Sequence, residues 1–79
     1  MTRPRVRLYS RANCHLCEVA RADVQRICGE LAVQFDETDV DSDPVLRAEY
    51  GDRVPVIVVD DKEHGYFRVD EARLRAALR

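Results

Sequence analysis

Cys14 and Cys17 stand where a short apolar strand pattern (Val6, Leu8, Tyr9) gives way to the apolar stripe of an amphipathic helix. Two thiols separated by two residues at a helix start can close a disulfide within a single turn. The same position favours a thiolate, because unpaired backbone N–H groups and the helix dipole stabilise negative charge there. A strand, a tight loop and a Cys-x-x-Cys at the mouth of a helix together point to thiol–disulfide exchange. They also restrict the fold to one that delivers a strand directly into that helix.

The remaining elements follow from periodicity and turn chemistry. Arg5–Tyr9 reads as a strand with Val6 and Leu8 on one face. From Cys14 to about Leu31 the apolar residues Cys17, Ala20, Val24, Ile27, Cys28 and Leu31 recur at helical spacing, and Gly29 is expected to unwind the end. Val33–Thr38 alternates like a half-buried strand, and Asp39–Asp43 reads as a loop. Asp43-Pro44 caps and opens a short helix that runs to about Tyr50 and stops at Gly51. Val54–Val59, the most β-branched run, is expected to be a central strand. Asp60-Asp61 is a turn and Glu63–Phe67 the return strand, after which Asp70 caps a last helix bearing Leu74, Ala77 and Leu78.

The order is β-α-β-α-β-β-α. Its first unit implies a right-handed parallel crossover, and the two-residue turn implies an antiparallel hairpin. The expected class is α/β, a four-stranded mixed sheet flanked by helices in the thioredoxin-like arrangement, as one domain over residues 1–79. A chain of 79 residues has room for one modest core and no more.

Composition narrows the partners. Thirteen basic and 15 acidic residues alternate to a net charge of −2, with no basic stripe, which argues against nucleic acid. No 18-residue apolar run offers a membrane span, and no signal-peptide apolar region precedes the first strand, so a cytoplasmic monomer is expected. Asp39-x-Asp41-x-Asp43 resembles the start of a calcium loop, but Pro44 replaces the required Gly and Tyr50 the terminal Glu.

Cys14, at the loop–helix junction, is expected to be the attacking thiol, and Cys17, one turn in on the apolar stripe, the shielded resolving thiol. Cys28 lies 11 residues beyond Cys17 on the same helix, roughly 16 Å away at a rise of about 1.5 Å per residue. It is read as a core thiol. Zinc commonly takes two ligand pairs and only one is present, so no metal is expected. An iron–sulfur or metal carrier using the same cysteines, with a cluster shared between chains, is the second reading. A redox-inactive binding module is the third. His15, between the thiols, either lends positive charge to Cys14 or points into solvent, and His64 is read as a surface residue.

The run Leu8-Tyr9-Ser10-Arg11-Ala12-Asn13-Cys14-His15-Leu16-Cys17 resembles the glutaredoxin family, whose members read aliphatic-Tyr-Ser-Lys/Arg-x-x-Cys-x-x-Cys here. The resemblance continues through Tyr50-Gly51-Asp52-Arg53-Val54-Pro55 and covers nearly the whole chain. It implies a cis Pro55 facing the active cysteine and a Val54 backbone that pairs with an extended disulfide substrate. It also implies an Arg11 near the glutathione carboxylate that helps activate Cys14, and an Asp70 that takes the glutathione amine. His15 and Leu16 replace the family's usual Pro and aromatic residue, and Arg68-Val69 stand where Gly-Gly gives glutathione clearance. Phe67-Arg68-x-Asp70 is similar to redoxins that reduce ribonucleotide reductase. The implied activity is reduction of protein or low-molecular-weight disulfides, with no cofactor bound. Electrons would come from an external thiol (glutathione or another small thiol) or from thioredoxin reductase.

Overall fold

Val6 and Leu8 on one face of the first strand, and Tyr9 on the other, are all buried, so that strand must lie between two layers. The computed structural model describes residues 4–79. Its elements are β1 (Val6–Ser10), α1 (His15–Leu31), β2 (Phe35–Asp39), a 3-10 turn (Val40–Ser42), α2 (Pro44–Tyr50), β3 (Val56–Val59), β4 (Lys62–Tyr66) and α3 (Glu71–Ala77). The sheet order is β2-β1-β3-β4. β1 pairs parallel with β2 and antiparallel with β3, and β3 pairs antiparallel with β4. The expected α/β class, element order and mixed four-stranded sheet are all present.

Each face of the sheet has its own core. On one side Val6, Leu8, Ile57 and Val59 meet Ala20, Val24, Ile27 and Cys28 of α1 and Leu74 of α3. On the other side Tyr9, Val56 and Val58 meet Val40, with Leu46 and Tyr50 of α2 packed against them. The Tyr9 and Tyr50 rings stack at 4.5 Å. Both central strands are thereby covered on both faces, which is why Val56–Val59 is uniformly apolar.

The boundaries differ from the sequence reading in ways with local causes. α1 does not unwind at Gly29. It runs on to Leu31, and Ala32 takes the left-handed cap at φ 55° while Val33 donates to the Cys28 carbonyl at 2.9 Å. Within Asp39–Asp43, the 3-10 turn sinks Val40 into the second core. β3 begins at Val56 rather than Val54: Pro55 has no N–H to give a ladder, and Val56, opposite Tyr9 and Tyr66, is the first residue in register. Gly51 follows α2 as expected, and a Cβ there would lie 2.5 Å from the Arg47 carbonyl oxygen. Asp60 and Asp61, at φ 51° and 66°, make the tight hairpin turn. Arg5 clamps Asp60 through two bonds of 3.0 and 2.9 Å and reaches the Ala77 and Leu78 carbonyls at the end of α3.

Candidate active site

β1 carries the chain to the sheet end, and Asn13 turns it into α1 through the left-handed region at φ 58°, where Asn is tolerated better than most residues. Cys14 is the N-cap of α1: its sulfur accepts the Cys17 backbone N–H at 3.2 Å. Cys14 and Cys17 are joined as a disulfide with their Cα atoms 5.2 Å apart. Cys14 is partly exposed, whereas Cys17 is fully buried on the inward face of α1. One sulfur of the bridge therefore belongs to a partly exposed residue with a helix N–H aimed at it, and its partner is sealed behind it.

Cys28 is buried in the core, and burial pushes its thiol up. Among the described residues no three His, Cys, Asp or Glu side chains are grouped to hold a metal ion. No helix among them is long and apolar enough to cross a membrane.

Pro55 is buried and cis to Val54, as the family resemblance implies. Val54 is half-buried, and its own N–H and carbonyl make no backbone hydrogen bond among the described residues. Phe67 instead donates its N–H to the Pro55 carbonyl at 2.8 Å, tying the end of β4 to the proline.

Arg11 is not an isolated cation. Its guanidinium grips Asp41 through two bonds of 3.1 Å and reaches the Gly51 carbonyl at 3.5 Å, fastening the loop before Cys14 to the end of α2. His15 is 85% exposed and 3.8 Å from Glu18, so of its two sequence readings the structure shows the solvent-facing one. Asp70 caps α3, accepting the Arg73 N–H at 3.1 Å.

Three features escaped the sequence reading. Buried Ser10 donates its hydroxyl to Glu37 at 2.6 Å, and Arg21 adds bonds of 2.6 and 2.7 Å to the same carboxylate. This clamp fixes the first half of α1 against β1 and β2, and its members lie too far apart in the chain to be paired by pattern. His64 is half-buried rather than a surface residue, and its Nε2 has no partner among the described residues. Burial, with Arg73 nearby, holds its pKa below the usual histidine value. Finally, Phe67 leaves β4 at φ 69°, a conformation an aromatic residue rarely adopts, and Arg68 donates to the Tyr66 carbonyl at 2.8 Å across it.

Comparison with known proteins supplies the context. Residues 5–79 match the model of the Glutaredoxin-like domain (DUF836) family. An uncharacterized protein of Mycobacterium tuberculosis is 43% identical over 99% of this chain and 86% of its own length. A Nitrosomonas europaea protein solved by NMR superposes with a TM-score of 0.81 at 29% identity, covering 100% of this chain and 96% of that one. A glutaredoxin from Archaeoglobus fulgidus shares the fold at a TM-score of 0.65 and 21% identity, over 96% of this chain and 87% of its own.

Proposed function

The chain belongs to the glutaredoxin-like domain family, and from that premise we propose that it is a thiol–disulfide oxidoreductase reducing protein or low-molecular-weight disulfides. One observation carries the reading: a partly exposed Cys14 caps α1 with a backbone N–H on its sulfur, above a fully buried Cys17. The exposed sulfur is the one a substrate can reach, and the N–H stabilises the thiolate that attacks.

In the reduced protein the Cys14 thiolate attacks one sulfur of the substrate disulfide. That bond breaks, the other substrate sulfur leaves as a thiolate, and a mixed disulfide forms on Cys14. Cys17 loses its proton and attacks the Cys14 sulfur, releasing the second substrate thiol. The substrate gains two electrons and two protons, and the protein is left with the Cys14–Cys17 bridge. An external thiol (glutathione or another small thiol) or a reductase such as thioredoxin reductase returns the electrons. No bound cofactor takes part.

In this reading Val54 offers the substrate segment a backbone left unpaired among the described residues, and buried Pro55 forms the wall behind it. Arg11 holds the loop before Cys14 in place through Asp41, and His15 and Asp70 complete the substrate edge. The protein acts as a cytoplasmic monomer.

Equilibrating the purified protein with graded ratios of reduced and oxidised dithiothreitol, then counting free thiols, tests the proposal. The expected result is reversible opening of Cys14–Cys17 with Cys28 unaffected, and loss of disulfide-reductase activity in Cys14→Ser. An irreversible or absent couple, or full activity in Cys14→Ser, would overturn it.

A further inference from the structure

Four of the five large apolar residues exposed among the described residues (Leu16, Val19, Tyr66 and Phe67) lie on α1 or at the end of β4. Three of them, Leu16, Val19 and Phe67, share the wall of one open groove of about 390 Å³, with Ala20 and Val69 beside them. Its lining includes His15 and Leu16, the two residues between the reactive cysteines, so the groove adjoins the turn that holds the disulfide. The fifth exposed residue, Val45, lies on α2, whose Leu46 and Tyr50 pack on the opposite face of the sheet.

Two further observations mark this groove as built rather than incidental. Phe67 is held on its wall by an unfavourable left-handed turn, pinned by its N–H to Pro55 and by the Arg68 to Tyr66 bond across it. Arg68, on the rim, is exposed and makes no ion pair among the described residues. Asp23, the acid of the lining, lies 3.6 Å from Arg26. Arg26 is itself bonded to Glu71 at 2.8 Å, so Arg68 is the one arginine of the lining and the group there left free to meet an acid.

We propose that this groove seats the protein client itself: an extended segment with a bulky apolar side chain beside its disulfide cysteine and an acidic residue just beyond, facing Arg68. The proposal rests on the redox reading and names its substrate class. A client must bring its sulfur to Cys14, so the chain flanking that sulfur passes over His15 and Leu16, and a neighbouring side chain lands between Val19 and Phe67. Glutathione has carboxylates to offer Arg68 but no apolar side chain for the groove. The groove thus selects protein disulfides over the small one.

The test uses the full-length reduced protein and three synthetic peptides, each closed by one disulfide. The first has Leu beside the cysteine and Glu beyond it, the second replaces Leu with Ser, and the third replaces Glu with Gln. Filling an apolar groove with Leu predicts a kcat/KM about tenfold higher for the first peptide than the second. The third is expected to lie between them at low salt. In Phe67→Gly, where glycine accepts the φ of 69°, and in Val19→Ser, the Leu-to-Ser ratio should fall to about one. Equal rates for the first two peptides with the wild type, or an unchanged ratio in both variants, would overturn the groove while leaving the redox reading intact. Equal rates for the first and third would overturn the role given to Arg68. No turnover of any peptide would overturn the redox reading and the groove together.

Discussion

The backbone N–H of Cys17 points at the sulfur of Cys14 from 3.2 Å, so the residue proposed to attack is also the cap of the helix that carries its partner. In the proposed reaction, capping and thiolate stabilisation use the same contact. An orphan N–H of the helix start, which Ser or Asp would ordinarily satisfy, is spent on a sulfur that gains most from it as a thiolate.

That arrangement makes the three thiols unequal. Cys17 and Cys28 are 0% and 1% exposed, and burial pushes the Cys28 thiol up, whereas Cys14 is partly open. Brief iodoacetamide treatment of the reduced native protein should give a single adduct, located at Cys14 by peptide mapping. Equal labelling of all three thiols would mean that the helix start does not shield Cys17.

Ile27 is fully buried beneath the sheet and far along α1 from the cysteines. Ile27→Ala should cost about 2–5 kcal/mol in chemical denaturation, by lost burial and the cavity left behind. The Cys14–Cys17 couple should survive in the folded fraction. Val45, 72% exposed on α2, is the control; Val45→Ser should stay within about 0.5 kcal/mol of wild type.

Glu37 and Glu71 make stability sensitive to acid. Arg21, and then Ser10, hold the Glu37 carboxyl below the ordinary carboxylate range against the opposing effect of burial. Arg26 and Arg75 draw Glu71 from 4.5 down to about 2. Both are depressed relative to the unfolded chain, so each stabilises the fold above about pH 4.5. That contribution is lost as pH falls, through about 2 for Glu71. Denaturation from pH 7 downward should show wild type losing stability faster below pH 4.5 than Glu37→Gln/Glu71→Gln. Salt should narrow the gap, because the Glu71 pairs are exposed. Parallel curves would contradict these assignments.

What could be read from the sequence was local and periodic. Alternation at Val6 and Leu8, the helical stripe from Cys17 to Cys28, and the paired aspartates at 60 and 61 each announce their own element. The site's main axis was legible for the same reason, since Cys14 and Cys17 lie within one turn. What could not be read depends on residues brought together from distant segments. Nothing near Ser10 indicates Glu37, and nothing near Val19 indicates Phe67. The start of β3 differs because β-branched propensity at Val54 outweighs, in a pattern reading, the proline that follows it and cannot donate to the ladder. Ala32 at the end of α1 shows a different limit: an exposed alanine takes the left-handed cap expected near Gly29, and the Val33 N–H closes the helix on the Cys28 carbonyl.

The central claim, that Cys14 attacks and Cys17 resolves, is tested most directly by removing the resolving thiol. Reduced Cys17→Ser, incubated with a disulfide-closed peptide and quenched with acid, should accumulate a mixed disulfide that peptide mapping places on Cys14 alone. Wild type under the same conditions should release the reduced peptide and form the Cys14–Cys17 bridge. A peptide trapped on Cys28, or undiminished multiple turnover by Cys17→Ser without a trapped species, would contradict the account.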